Sequence, residues 1–149
     1  MQEICAVIAA GGLGTRLKNY KNNFSTKVLI EIGNKSMISS QVSQISSWGI
    51  NNFVIITNPE FDLMIKEDVT KNHPDKNIKF AIQEKPLGIA HALLQSEKLV
   101  ENYSKILFVL GDNFFGENPM LKLENQNIES MIFLKKVLNP NEFGVAKIL

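Results

Sequence analysis

The sequence predicts an α/β fold in which a mostly parallel β-sheet carries helices on both faces. Short apolar runs, typical of buried strands, alternate along the 149 residues with stretches whose apolar side chains recur at helical spacing. Turn-forming glycine, proline and asparagine residues separate many of these segments. Alternation of this kind is typical of Rossmann-like folds, in which each helix returns the chain so that the next strand pairs in parallel.

The predicted strands share a high content of apolar or β-branched residues. In chain order they cover residues 4–10, 28–32 as a weaker candidate, 53–57, 78–83, 106–110, 131–138 and a run that begins at 144. The run 106–110 is wholly apolar, which predicts a strand buried on both faces.

Helical periodicity marks residues 36–48, 60–70 and 88–100. In the first of these, Ile38, Val42 and Ile45 recur on one face, and Gly49 is a typical residue for the helix end. The polar stretch 71–77 contains a proline, which predicts a loop.

Composition narrows the class of protein. Hydrophobic residues make up 44% of the chain and charged residues 21%, as in globular proteins, and the formal net charge is +1. A nearly neutral chain offers no electrostatic basis for binding nucleic acid or an anionic membrane. The one cysteine, Cys5, lies in an apolar run, and a reducing cytoplasm suits a chain without a disulfide framework. We expect a cytoplasmic protein with a single domain over 1–149.

The C-terminal residues 145–149 form an apolar run with no polar tail or closing helix. An exposed apolar edge strand favours aggregation, so such an ending is unusual for a finished domain. The sequence therefore predicts a fold that is truncated at its C-terminus, as a fragment or a shortened gene product.

Three unusual loops follow predicted strands and so fall at the edge of the sheet where α/β proteins bind ligands. The first combines Gly11, Gly12 and Gly14 with Thr15 and Arg16. Glycine lets backbone N–H groups approach phosphate oxygens, and the arginine adds a forked cation. The loop lacks the third glycine of a dinucleotide fingerprint and the Gly-Lys-Ser/Thr of a Walker loop.

The other two loops, 83–88 and 111–113, supply further candidates, and Lys27 lies apart from them, beyond the polar stretch 19–26. Lys27 could neutralise phosphate charge, although lysines are also common on surfaces. Asp112 follows an apolar strand and is a suitable magnesium ligand, or else a turn aspartate that satisfies local backbone N–H groups. Gln83 and Gly88 could face a nucleotide base, or they could be a polar strand end and a helix-start glycine.

In their order along the chain, these residues resemble the signature of the sugar-1-phosphate nucleotidyltransferases, the group that contains glucose-1-phosphate thymidylyl-, cytidylyl-, uridylyl- and adenylyltransferases. The similar segments are AAGGLGTRL (9–17), STK (25–27), EIGNK (31–35), residues 83–92, LGDN (110–113) and FGV (143–145).

The resemblance implies a role for each candidate. The triphosphate would be held by Ala10, Gly11, Gly12, Gly14 and Thr15. Arg16 and Lys27 would be the catalytic cations, Gln83 and Gly88 would face the base, Asp112 would bind Mg²⁺, and Gly144 would lie near the sugar. The substrates would be a nucleoside triphosphate and a sugar-1-phosphate. Which base and sugar are used, and whether the chain forms a homo-oligomer, stay open.

The chain also departs from the family pattern. The resemblance implies a Glu-Lys-Pro motif for the sugar phosphate and a second metal-binding aspartate, both expected after Leu149. Two hypotheses follow: a nucleotidyltransferase that works by in-line displacement, or a nucleotide-binding module without turnover. A dehydrogenase domain is disfavoured because Leu17 occupies the third glycine position.

Overall fold

The computed structural model describes residues 4–12, 26–123, 129–142 and 144–146. The chain divides into two compact units, Met1–Glu117 and Asn118–Leu149. The first contains all the strands and α-helices of the described residues, and the described part of the second contains short 3₁₀ turns and irregular chain. The single domain expected over 1–149 stays a prediction.

The elements of the first unit follow the predicted alternation. The strands are β1 (Ile4–Ala9), β2 (Glu31–Ile32), β3 (Lys35–Ser36), β4 (Asn52–Thr57), β5 (Asn77–Ile82) and β6 (Lys105–Leu110). The helices are α1 (Met37–Ser46), α2 (Asp62–Asn72), α3 (Ile89–Leu94) and α4 (Glu97–Val100). The strands β2 and β3 form a small antiparallel hairpin that leads into α1.

The main sheet has the strand order β5-β4-β1-β6, and all of its pairs are parallel. The chain therefore builds outward from β1 through β4 to β5, and then returns to the other side of β1 to form β6. The order reverses between β1 and β6, and such a switch point leaves a crevice beyond the carboxyl ends of the strands. The mostly parallel α/β class predicted from the sequence is confirmed.

Helices cover both faces of the sheet, which explains why consecutive residues of β1 are buried. Cys5 and Val7 pack with Val54, Ile56 and Ala92 of α3. On the other face, fully buried apolar residues come from β1, α1 and α2: Ala6, Ile8, Ile38, Val42, Ile45, Ile65 and Val69. Burial raises the pKa of the Cys5 thiol to about 11, so Cys5 is a packing residue with little thiolate at neutral pH.

Helix α1 begins directly after Ser36, which caps its N-terminus. The side chain of Ser36 accepts a hydrogen bond from the backbone N–H of Ser39 at 3.1 Å, which satisfies one of the free N–H groups at the helix start. The hydroxyls of both serines donate to the carboxylate of Asp68 on α2. The two helices are therefore joined by polar contacts at this end.

Several strand predictions made from the sequence were wrong. Strand β6 was expected to be buried on both faces, but it lies at the edge of the sheet formed by the described residues, and Ile106 is 42% exposed. Residues 27–29 form a 3₁₀ turn before β2. Residues 131–138 form no strand in the structure, and neither do 144–146. Apolar residues indicate a tendency of a segment to be buried, whereas a strand also needs a neighbouring strand for its backbone hydrogen bonds.

The sequence also misplaced helix ends. The stretch 88–100 is two helices, because the chain turns at Gln95 and Ser96, where the buried Ser96 hydroxyl donates to the carbonyl of Leu93. Helix α2 continues to Asn72, into the predicted loop. No helix in the described ranges is both long and apolar enough to cross a membrane.

Candidate active site

A cavity of 490 Å³ lies beyond the carboxyl ends of the strands, and all three candidate loops contribute to it. The residues that line it are Ala9, Gly11, Gly12, Lys27, Val28, Gln83, Pro86, Gly88, Ile89, Ala92, Leu110, Gly111 and Asp112. The structure thus brings the first glycine loop, Lys27, the base-facing candidates and the metal-ligand candidate into one site.

Some predicted site residues fall elsewhere. Ala10 is buried and does not line the cavity, and its N–H donates to the carbonyl of Ile56 at 2.7 Å. Gly144 is exposed and belongs to the second unit. The predicted roles of Gly14, Thr15 and Arg16 lie outside the described residues.

Two glycines lie where neighbouring atoms leave little room for a Cβ. A Cβ on Gly11 would be 3.2 Å from the carbonyl oxygen of Thr57. A Cβ on Gly111 would be 3.0 Å from both the carbonyl oxygen of Ala9 and Cγ1 of Val28. These glycines let the loops after β1 and β6 approach neighbouring backbone. By contrast, a Cβ on Gly12, which also lines the cavity, would meet nothing within 4 Å among the described residues.

Lys27 and Asp112 form an ion pair at the cavity wall. The Nζ of Lys27 donates to Oδ2 of Asp112 at 2.9 Å, and the two side chains are 44% and 39% exposed. A pair this exposed contributes about 0–1 kcal/mol, so either group can exchange its partner for an entering ligand at little cost. The buried Val28 anchors the turn that carries the lysine.

Gln83 is buried at the end of β5, where its backbone N–H donates to the carbonyl of Thr57. Its side-chain Nε2 lies 3.2 Å from the carbonyl oxygen of Gly88 and 2.9 Å from Nδ1 of His91. Gly88 has a φ of 104°, a conformation that favours glycine. The glutamine amide is therefore held in one orientation by the start of α3.

The donor set fits a magnesium ion that arrives with a phosphate ligand. Asp112 provides one accessible carboxylate, and the described residues contain no group of three or more acidic, histidine or cysteine side chains that could hold a metal. Magnesium typically keeps one or two protein carboxylates and takes its remaining ligands from substrate phosphates and water. Asp112 suits that arrangement, and the described residues alone provide no cage of protein ligands.

Two glutamines on α1 position the Asp112 loop, and our sequence reasoning missed both. The fully buried Gln41 donates from Nε2 to the carbonyl oxygens of Leu110, at 2.8 Å, and Asn113, at 2.6 Å. Gln44 exchanges hydrogen bonds with both the N–H and the carbonyl of Phe115. The sequence pattern that could have indicated Gln41 is its position as a polar residue on the apolar face of a predicted helix.

We expect Gln41→Leu to lower the free energy of unfolding by about 1 kcal/mol, because the carbonyls of Leu110 and Asn113 lose the hydrogen bonds from the Gln41 amide. The loss is limited because Leu110 keeps the bond from the Asn113 N–H, and because the unpartnered Oε1 of Gln41 is removed as well. Exchange of the Asn113 amide, which donates to Leu110, should also become faster, and urea unfolding with hydrogen-exchange measurements tests both expectations. Ser46→Ala is the matched control on α1. The buried Ser46 hydroxyl has no partner among the described residues, so its loss should be neutral or slightly stabilising. Unchanged Asn113 protection in Gln41→Leu would contradict the positioning role.

The chain has a parallel sheet with a ligand-sized cavity at its switch point. It therefore belongs to the class of α/β proteins with a binding site beyond the carboxyl ends of the strands. Within that class, the chain matches the nucleotidyl transferase family over residues 5–148, and it belongs to that family. The resemblance seen in the sequence is thereby confirmed.

Curated relatives agree with this assignment. The chain is 32% identical to a mannose-1-phosphate guanyltransferase of Yarrowia lipolytica, over 93% of this chain and 39% of the relative. It is also 32% identical to a glucose-1-phosphate thymidylyltransferase of Neisseria meningitidis, over 95% of this chain and 50% of the relative. The chain thus spans half or less of the length of these two relatives.

Solved structures share the fold. A Bacillus anthracis protein assigned as a glucose-1-phosphate thymidylyltransferase, in complex with sucrose, superposes with a TM-score of 0.69 at 28% identity, covering 81% of this chain and 49% of that one. HddC from Yersinia pseudotuberculosis, complexed with GMP-PN, gives a TM-score of 0.62 at 28% identity, covering 75% of this chain and 48% of that one.

Proposed function

We propose that this chain forms the nucleotide-binding and catalytic part of a sugar-1-phosphate nucleotidyltransferase. The reaction is transfer of a nucleoside monophosphate from a nucleoside triphosphate to a sugar-1-phosphate, with release of pyrophosphate. The observation that carries the proposal is that Gly11, Gly12, Lys27 and Asp112 line one cavity at the switch point of the sheet. Family membership and the relatives' printed activities support the same reaction.

The chemistry requires positioning and charge stabilisation more than a covalent intermediate. A sugar-1-phosphate oxygen is already anionic and attacks the α-phosphorus directly, while pyrophosphate leaves in line. Lys27 at the cavity wall stabilises negative charge that grows on the α-phosphate, and Arg16 is proposed as the second cation. Asp112 would hold Mg²⁺, which supplies charge neutralisation for the phosphates when it is bound.

The relatives narrow the proposed substrates. The names printed for them combine mannose-1-phosphate with a guanylyl group or glucose-1-phosphate with a thymidylyl group. We propose a hexose-1-phosphate acceptor of this kind, with Gly144 near the sugar. A cytoplasmic location is proposed because the thiol of Cys5 is free and buried.

A nucleotide-binding module without turnover is the second candidate. The observation that favours it is length, because the chain spans 39% and 50% of the two relatives described above.

Pyrophosphate release separates the two candidates. The chain is incubated with Mg²⁺, each of GTP, dTTP, UTP, CTP and ATP, and either mannose-1-phosphate or glucose-1-phosphate, and pyrophosphate is measured by a coupled assay. Nucleotide binding is measured in parallel by calorimetry. Turnover that requires both substrates supports the transferase. Binding without pyrophosphate release supports the module, and absence of both overturns the two proposals together.

A further inference from the structure

One buried side chain fastens the loop after β1 to the end of β4. Asn58 directly follows β4, is 6% exposed and donates from Nδ2 to the carbonyl oxygen of Gly11 at 3.0 Å. Its Oδ1 accepts a hydrogen bond from the backbone N–H of Phe61 at 2.9 Å, at the start of α2. Both ends of the Asn58 amide are therefore used inside the protein.

These two contacts settle the orientation of the Asn58 amide. A backbone carbonyl can only accept a hydrogen bond and a backbone N–H can only donate one. The amide nitrogen must therefore face Gly11, and the amide oxygen must face Phe61. The reversed amide would place two oxygens against each other at one end and two N–H groups at the other.

Fixing the carbonyl of Gly11 also fixes the N–H of Gly12. The C=O of one residue and the N–H of the next belong to one planar peptide unit, and in a trans peptide they point in opposite directions. No peptide bond is cis in the part of the chain that the structure describes. Since the Gly11 carbonyl points toward the buried Asn58, the Gly12 N–H points away from it.

The surroundings of Gly12 suit an anion at this N–H. Gly12 is exposed and lines the cavity, whereas Asn58 is not a lining residue. Within the described ranges the Gly12 N–H donates to no acceptor, while its carbonyl accepts from Oγ1 of the buried Thr26 at 3.4 Å. The carbonyls of both glycines are thus held by protein donors, which keeps their negative ends from turning toward an entering anion.

We propose that Asn58 is a positioning residue that turns the Gly12 N–H into the cavity, where this N–H donates to a phosphate oxygen of the bound nucleotide. The inference rests on the proposed function in taking phosphate as the ligand at the glycine loop. Asn58 acts only through the peptide between Gly11 and Gly12. Without its donor this peptide can rotate, because a glycine on each side leaves the backbone dihedrals weakly restricted.

Inorganic pyrophosphate with Mg²⁺ probes the glycine loop without a base. In an NMR titration of the ¹⁵N-labelled chain, the amide proton resonance of Gly12 should move downfield as pyrophosphate binds, because the N–H gains a charge-assisted hydrogen bond. An unmoved Gly12 resonance in a wild-type chain that binds pyrophosphate would overturn the inference while leaving the proposed transferase intact.

Variants of Asn58 test the cause of the orientation. Asn58→Ser is uncharged, is too short to reach Gly11, and keeps a hydroxyl oxygen that can accept from the Phe61 N–H. Its affinity for pyrophosphate with Mg²⁺ should fall about tenfold, as expected when a hydrogen bond to a charged group is lost. Its affinity for guanosine and thymidine, which carry no phosphate, should stay within about twofold of wild type.

A second variant and a control accompany this one. Asn58→Asp keeps the shape and the acceptor of the amide but cannot donate, so it should weaken pyrophosphate binding at least as much, since its charge also opposes an anion. Asn72→Ser is the matched control on α2. The Asn72 amide also donates to a backbone carbonyl, that of Asp68 at 2.8 Å, but Asn72 does not line the cavity, so pyrophosphate affinity should stay within about twofold of wild type.

Two results would overturn the role of Asn58. One is wild-type pyrophosphate affinity in folded Asn58→Ser and Asn58→Asp, with folding checked by circular dichroism. The other is an equal loss of pyrophosphate and nucleoside affinity, which would indicate general damage to the cavity. If the wild-type chain binds neither pyrophosphate nor any nucleoside triphosphate, the proposed function fails, and this inference fails with it.

Discussion

Replacing Lys27 with methionine is expected to lower kcat for pyrophosphate release by about 10²–10³-fold relative to the wild-type chain. This is the size of effect seen when one preorganised group that stabilises transition-state charge is removed. The cation lies at the wall of the cavity, 2.9 Å from the Asp112 carboxylate, and a methionine keeps the apolar stem while removing the charge. The coupled pyrophosphate assay at saturating substrates measures the effect.

Stability should change little in Lys27→Met, because the ion pair that it removes is largely exposed. This separates a catalytic loss from a folding defect in the same variant. Lys98→Met is the control, since Lys98 is an exposed lysine on α4, and its kcat should stay within about twofold of wild type. An unchanged kcat in Lys27→Met would show that Lys27 is a surface lysine, the alternative left open by the sequence.

Gly111→Ala should lower the free energy of unfolding by about 1–3 kcal/mol, the usual cost of forcing an extra carbon into packed structure. The new Cβ would be 3.0 Å from the Ala9 carbonyl oxygen, 3.0 Å from Cγ1 of Val28 and 3.3 Å from Cα of Ala10. Two of these neighbours are backbone atoms of the central strand region and cannot move aside cheaply. Urea unfolding followed by circular dichroism measures the change.

Gly116→Ala is the matched control for this prediction, because a Cβ there meets nothing within 4 Å. Its free energy of unfolding should stay within about 0.5 kcal/mol of wild type. Gly111 also precedes Asp112, so its replacement is expected to weaken nucleotide binding as well as folding. Equal stability of the two variants would mean that the close approach of the β6 loop to β1 is not a packing constraint.

The sequence predicted the kinds of elements well where local signals were strong. Helix α1 shows this: Ile38, Val42 and Ile45 repeat at helical spacing, and all three are fully buried. The prediction failed for 131–138, where an apolar run forms no strand in the described structure. Helical hydrogen bonds close within the segment itself, whereas a strand depends on a neighbour that periodicity does not identify.

At the candidate site, too, features that depend on near neighbours in the chain were predicted, and contacts between distant segments were not. Glycines and polar residues directly after strands indicated the loops that line the cavity, because the carboxyl ends of parallel strands share one edge. Gln41 and Asn58 were missed as positioning residues. Each acts through a hydrogen bond to a group on another element, which spacing along the chain does not reveal.

By itself, the sequence determined the alternation of strands and helices, the glycine loop after β1 and the residue types available for phosphate and base. Such features depend on hydrophobic periodicity and turn chemistry, which act between near neighbours in the chain. Tertiary structure alone decided that β6 lies at the edge of the sheet formed by the described residues, that Lys27 meets Asp112 across 85 residues, and that His91 contacts the Gln83 amide. The reason is physical: these contacts arise only when packing brings distant segments together, and their directions depend on the backbone that carries them.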